Sequence, residues 1–202
     1  HANILATYLR GNGVIPEKCD LNSILFLLTP AENKNKLRFL TSQLVRFERF
    51  VDNNVPMQEV LLGVYNKYPG RYTGYTLRQL CQEMHDFFKD RNVKDLQKKL
   101  FRKEFFPEYV MRPQEAHYAF IRGERELVPL DEIEGRIALE GALPYPPGVL
   151  CVVPGERWSH TAVQYFKALE ESLNELPGFA LEIQGVYLEH EGDRIRAYGY
   201  VL

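Results

Sequence analysis

The chain has 202 residues, 45% of them apolar, enough to bury a core in one domain or two small ones. Charged residues make up 26%, the level of an ordinary globular protein, and no apolar stretch approaches the ~20 residues of a membrane helix, so no membrane partner is expected. The net charge of −2 conceals an asymmetry: residues 1–112 hold 18 Lys and Arg against 12 Asp and Glu, a net +6, whereas residues 113–202 hold 7 against 15, a net −8.

The opening residue is His1 rather than Met, and no basic-then-apolar leader follows, which fits a piece of a longer protein without a signal peptide. Residues 2–10 read as the end of a helix, with Ile4, Leu5, Tyr8 and Leu9 on one face and Gly11 and Gly13 as the stop. Ser23 to Leu28 is a short continuous apolar run whose length predicts a strand buried on both faces. Thr29-Pro30-Ala31-Glu32 then reads as a capping box with proline at the first helical position. Leu37, Leu40, Leu44, Phe47 and Val51 stripe the helix that follows.

Pro56 opens another helix, with Val60, Leu61, Val64 and Tyr65 inward. The stretch from Lys67 to Tyr75, containing Pro69, Gly70 and Gly74, reads as a break, and a domain boundary is expected near residue 70. Thr76 and Gln79 form a second capping box, before a helix striped by Leu77, Leu80, Cys81, Met84 and Phe88. A basic helix carries Lys94, Lys98, Lys99, Arg102 and Lys103, and Pro113 opens a helix ending near Gly123.

Arg136–Glu140 and Val149–Val153 are strand candidates around a rigid Pro-Gly turn. Ser159 caps a helix with Ala162, Phe166, Leu169 and Leu173 inward, stopped by Pro177-Gly178. Ile183–Leu188 and Arg194–Val201 read as a closing hairpin turned at Glu191-Gly192-Asp193. The expected fold class is α+β, in two small mixed subdomains.

Chemistry is sparse in the residues themselves. Cys19, Cys81 and Cys151 stand far apart, an odd count that fits a reducing cytoplasm. Cys81 and His85 are four apart, yet a metal there needs two more ligands, and nothing marks a third group for a Cys-His nucleophile. No metal site is expected. There is no glycine-rich phosphate loop, and the basic helix lacks the interleaved aromatics of a nucleic-acid surface, so no nucleic-acid partner is expected.

Two loops stand out. Leu143-Pro144-Tyr145-Pro146-Pro147-Gly148 fixes its backbone with three prolines and presents Tyr145 at low entropic cost, although a purely structural turn reads equally well. Gly13 to Lys18 feeds the apolar run and leaves Glu17 either facing a cleft or simply solvated. The acidic second part either helps draw in a cationic ligand or only balances the basic first part.

PEKCDLNSILFLLTPAE at 16–32, GYTLRQLCQEMHDFF at 74–88, EGALPYPPGVLCVVPGE at 140–156 and LPGFALEIQGVY at 176–187 closely resemble the bacterial Orn/Lys/Arg decarboxylase family, nearest to its ornithine decarboxylases. The resemblance runs in order over nearly the whole chain. It implies that residues 1–70 are part of an aminotransferase-type small domain and residues 71–202 the family's C-terminal domain. It also implies an intact enzyme that is a homo-oligomer, uses pyridoxal phosphate and converts ornithine to putrescine and carbon dioxide.

The family's cofactor lysine lies in a Ser-x-His-Lys type motif that is absent here, so no catalytic residue and no bound cofactor are expected in this piece alone. Two residues carry over as substrate-binding. Glu17 matches an acidic residue near the substrate's distal amine, where a desolvated ammonium needs a charged acceptor. Tyr145 matches a tyrosine lining the active-site entrance. The alternative is a free-standing, non-catalytic ligand-binding or assembly module; the reading frame upstream of His1 discriminates the two, a Ser-x-His-Lys segment favouring the enzyme.

Overall fold

The computed structural model describes residues 1–145, 148–179 and 182–202. Two compact units make up the chain. The first runs from His1 to Phe87 and takes in Pro177–Phe179; the second runs from Phe88 to Leu176 and resumes beyond Phe179 to Leu202.

In the first unit, α1 (Ala2–Gly11) buries Ile4, Ala6, Tyr8 and Leu9. Gly13, at φ +77°, turns the chain out of the helix, a conformation that costs glycine little. Strands β1 (Lys18–Cys19) and β2 (Ile24–Leu25) pair antiparallel, Lys18 opposite Leu25 and Cys19 opposite Ile24. Their turn is closed by the Asp20 carboxylate, which accepts from the backbone of Asn22 at 2.6 Å and from the Ser23 hydroxyl at 2.9 Å.

The strand is shorter and more open than the apolar run predicts. Leu25, Leu27 and Leu28 are 55%, 66% and 62% exposed. A run of this kind is buried on both faces only when a sheet continues beside it and layers cover it. Here β2 has β1 alone for a neighbour, and Phe26, Leu27 and Leu28 line an open groove of about 760 Å³ together with Ile15, Leu37 and Leu40.

Helix α2 (Lys34–Asp52) starts later than expected. Its cap is Asn33, whose side chain accepts from the amides of Asn35 and Lys36 at 3.0 Å, and not Thr29. Thr29 to Glu32 instead closes a turn of its own, with the Glu32 amide donating to the Thr29 carbonyl at 3.0 Å. An Asn side chain satisfies two orphan amides at once, which the threonine hydroxyl four residues upstream cannot reach. The stripe is only half-buried, apart from Leu37, which is exposed. Against it, the Tyr8 ring meets Phe47 and Phe50 at 5.2 and 6.1 Å, and its hydroxyl donates to buried Gln43 at 2.8 Å.

Pro56 precedes α3 (Met57–Val60), and Leu61 separates it from α4 (Leu62–Lys67). Lys67–Tyr75 is not a bare break: it holds α5 (Pro69–Tyr72), and Tyr72 is wholly buried, its hydroxyl donating to the Pro177 carbonyl at 2.8 Å and its ring edge-on to Phe179. Helix α6 (Leu77–Asp90) is capped as expected, the Thr76 amide donating to Gln79 Oε1 at 2.9 Å and the Gln79 amide to Thr76 Oγ at 3.3 Å.

The units divide at Phe87 and Phe88, inside α6, rather than near residue 70. Hydrogen bonds explain why. The Leu77 amide donates to the Val55 carbonyl and the Met57 amide to the Tyr75 carbonyl, each at 2.9 Å, and Arg78 Nε donates to the Val51 carbonyl at 3.0 Å. Residues 75–78 are thereby held to 51–57.

The second unit opens with α7 (Val93–Leu100), which buries Val93 and Leu100 and leaves its lysines on an outer face. A short 3₁₀ turn at Lys103–Phe105 leads to α8 (Pro113–Arg122), ended as expected by Gly123 at φ +81°. The core gathers around α9 (His160–Glu175), whose Ser159 cap accepts from the Ala162 amide, with Ala162, Phe166 and Leu169 fully buried.

Beside α9 lies a sheet ordered β3 (Glu126–Pro129), β7 (Arg194–Val201), β6 (Tyr187–Glu191), all antiparallel. The β6–β7 hairpin turns at Gly192 and Asp193 as predicted. The rest of the predicted hairpin strand separates at Gly185 and forms β5 (Glu182–Gln184), which pairs with β4 (Leu143–Tyr145). A Cβ on Gly185, at φ +78°, would run into the Gly141 carbonyl, so glycine is required where the chain leaves one sheet for the other. Arg136–Glu140 and Val149–Val153 are not strands but isolated bridges, Ile137 to Arg157, Ala138 to Val201 and Ala142 to Val152. These helices and small antiparallel sheets give the α+β class.

Candidate substrate-facing residues

Glu17 sits where the loop from α1 becomes β1. The amide of Val14 donates to the Leu9 carbonyl and the amide of Glu17 to the Leu25 carbonyl, each at 2.9 Å, so the backbone is fixed on both sides. Pro16 and Cys19 point inward and are buried, whereas Glu17 is exposed. No ion pair involves its carboxylate among the described residues. Glu17 does not line the open groove formed by Ile15 and the leucines of the apolar run.

Tyr145 ends β4. The register with β5 sets Pro144 opposite Ile183, both buried, and Tyr145 opposite Glu182, both exposed. Alternation along a paired strand therefore turns Tyr145 out of the local core. Tyr145 is 47% exposed, so it is not a wholly buried core tyrosine. Pro146 and Pro147 lie outside the described residues; the turn is closed beyond them, where the Gly148 amide donates to the Pro144 carbonyl at 3.1 Å. Glu17 belongs to the first unit and Tyr145 to the second, so each is built by its own surroundings.

Of the remaining side chains in these motifs, Glu156 has a structural partner. Glu156 accepts from the Val153 amide at 2.8 Å and stiffens the end of its loop. Burial pushes the Cys151 thiol up to about 12 and that of Cys19 to about 11, and it raises Cys81 as well, so none is a ready nucleophile. All three cysteines are free. Among the described residues no group of three or more His, Cys, Asp or Glu side chains is arranged to hold a metal. No helix among the described residues is long and apolar enough to cross a membrane.

Gly148, the glycine of the expected Pro-Gly turn, sits at φ +80°, and a Cβ built there would stand 3.2 Å from the Tyr145 ring. The motif announces a turn but not this contact, which only the fold brings about.

Residues 94–202 match the family description "Orn/Lys/Arg decarboxylase, C-terminal domain", and residues 1–36 match "Orn/Lys/Arg decarboxylase, major domain". The chain is 62% identical over 201 residues to the inducible ornithine decarboxylase of Escherichia coli K12 and 63% identical over 202 residues to the ornithine decarboxylase of Haemophilus influenzae. Both matches cover 100% of this chain and 28% of the relative, so the chain spans little more than a quarter of their length. A lysine decarboxylase of Pseudomonas aeruginosa is 34% identical over 193 residues, 94% of this chain and 25% of the relative. Among solved structures, the constitutive lysine decarboxylase of Escherichia coli superposes with a TM-score of 0.88 at 29% identity, over 100% of this chain and 28% of that one. The matched segments, one in each compact unit, make this chain a member of the Orn/Lys/Arg decarboxylase family.

Proposed function

We propose that the chain is the carboxy-terminal portion of a pyridoxal-phosphate-dependent ornithine decarboxylase, in which Glu17 receives the substrate's distal ammonium and Tyr145 forms part of the channel wall. The observation that carries this reading is the identity of 62–63% to ornithine decarboxylases across the whole chain, against 34% to a lysine decarboxylase. The first unit is assigned to the aminotransferase-type small domain and the second to the C-terminal domain; the match of residues 94–202 to the family's C-terminal domain supports the second assignment. The exposed apolar run at Leu25, Leu27 and Leu28 suits a surface that the remaining domains of the same protein cover, in an enzyme that works as a homo-oligomer.

The residues present do not fit a cofactor site. No lysine among the described residues is buried, Lys167 is tied to Asp131, and no Ser-x-His-Lys motif occurs. When bound elsewhere in the intact enzyme, pyridoxal phosphate supplies the electron sink for decarboxylation. This chain's share is recognition. A carboxylate at position 17 compensates an ammonium that loses water, and an exposed tyrosine ring offers a rigid wall to the substrate's methylenes.

The test is Glu17→Gln in the intact enzyme. The amide keeps size and hydrogen bonding and removes the charge. A charge-assisted bond of this kind contributes roughly 2–4 kcal/mol once desolvated, so kcat/KM for ornithine is expected to fall about 30- to 1000-fold. The fall is smaller for a substrate lacking the distal amine. A value within about threefold of wild type, below ~0.7 kcal/mol, sinks the assignment.

A further inference from the structure

We propose that Gly148 is a positioning residue for Tyr145: the missing side chain at 148 is what lets the tyrosine ring lie where it does, and any Cβ there displaces it. The inference rests on the reading of Tyr145 as channel wall and deepens it.

Three observations carry it. A Cβ built on Gly148 would stand 3.2 Å from Tyr145 Cδ2 and 3.3 Å from Cε2, tighter than ordinary van der Waals contact. The Gly148 backbone cannot retreat freely, because its amide donates to the Pro144 carbonyl at 3.1 Å and Pro144 is itself buried and paired with Ile183. Tyr145, by contrast, is 47% exposed, so its ring is the partner that gives way. Gly148 also sits at φ +80°, so a substitution there has a backbone cost as well as a steric one. The two effects are separable, because asparagine tolerates this backbone region but still adds a Cβ.

The experiment is steady-state kinetics of the full-length enzyme with ornithine for Gly148→Ala, Gly148→Asn and Tyr145→Ala, and for Gly148→Ala combined with Tyr145→Ala. A 19F spectrum of full-length protein carrying fluorotyrosine at position 145 accompanies them. Both Gly148 variants are expected to raise KM about three- to tenfold with kcat within about twofold, and to shift the 19F line. In the Tyr145→Ala background, Gly148→Ala is expected to add less than about twofold, since the ring it acts through is gone.

The proposal is overturned if Gly148→Asn restores the wild-type KM, which makes backbone strain the whole effect. It is overturned equally if Gly148→Ala costs as much without the tyrosine ring as with it. Tyr145→Ala with unchanged kcat/KM overturns the channel-wall reading itself and with it any substrate role for Gly148. In that event the 19F line still reports separately on the ring contact: an unshifted line in both Gly148 variants removes that as well.

Discussion

Asp131 stands between two cations. Lys167 donates to one carboxylate oxygen and Arg196 reaches the other at 2.9 Å, while Arg196 also pairs with Glu191 at 3.3 Å. The hydrogen bond from Lys167 holds the Asp131 carboxyl below its ordinary range, with the charge of Arg196 adding to it. A carboxyl whose pKa is depressed by folding stabilises the fold at pH values above its unfolded value, and that contribution disappears as pH falls through the folded value. Asp131→Asn is therefore expected to lower the thermal midpoint at pH 7 by up to about 4 °C, since half-exposed pairs contribute ~1 kcal/mol or less. The gap to wild type is expected to close on acidification below the ordinary aspartate value near 3.8. A gap that stays constant from pH 7 to pH 3 contradicts this assignment. None of these partners was legible in the sequence, because Asp131, Lys167 and Arg196 are 29 or more positions apart and only the fold brings them together. For Glu17 and Tyr145 the residues alone marked two loops with a fixed backbone and left their use open; the substrate roles proposed for them come from the resemblance to the family.

At the scale of elements, β7 shows how a helix completes a sheet. Strand β3 pairs with β7 only from Tyr198 onward, and although the Leu130 amide still reaches the Ala197 carbonyl at 3.0 Å, the Ala197 amide and the backbone of Ile195 have no strand partner on that edge. Helix α9 fills it with side chains one turn apart. Glu170 accepts from the Ala197 amide at 2.6 Å, and Asn174 both accepts from the Ile195 amide at 2.8 Å and donates to its carbonyl at 2.9 Å. Asn174→Ala leaves both backbone groups of Ile195 without that partner, at a cost of about 2–4 kcal/mol in urea unfolding of the second unit. A loss below ~0.5 kcal/mol would mean that water replaces the amide without penalty. Sequence periodicity located α9, α6 and the β6–β7 hairpin, since those signals are local. It misjudged Arg136–Glu140 and Val149–Val153, where β-prone residues meet their partners only through single bridges, and Thr29, where a well-formed capping signal lost to an Asn nearer the helix.

At the scale of the whole molecule, the boundary near residue 70 failed for a related reason. Pro69, Gly70 and Gly74 punctuate the chain locally, but Tyr72 is buried and residues 75–78 bond back to 51–57, so the punctuation falls inside a unit. The continuous apolar run misled in the opposite sense: its length promised a strand buried on both faces, and in this chain it faces an open groove. Family membership and α+β architecture came through from contiguous motifs, and the chain's place within a longer decarboxylase accords with its 28% share of its relatives' length. The central claim is that the intact protein is an ornithine decarboxylase recognising its substrate partly through this chain. Carbon dioxide release by the full-length enzyme from L-ornithine and from L-lysine tests it most directly. The two substrates differ by one methylene, so kcat/KM is expected to favour ornithine by about 10- to 200-fold, with putrescine as product. Equal or greater kcat/KM for lysine, or no carbon dioxide from ornithine, would contradict it.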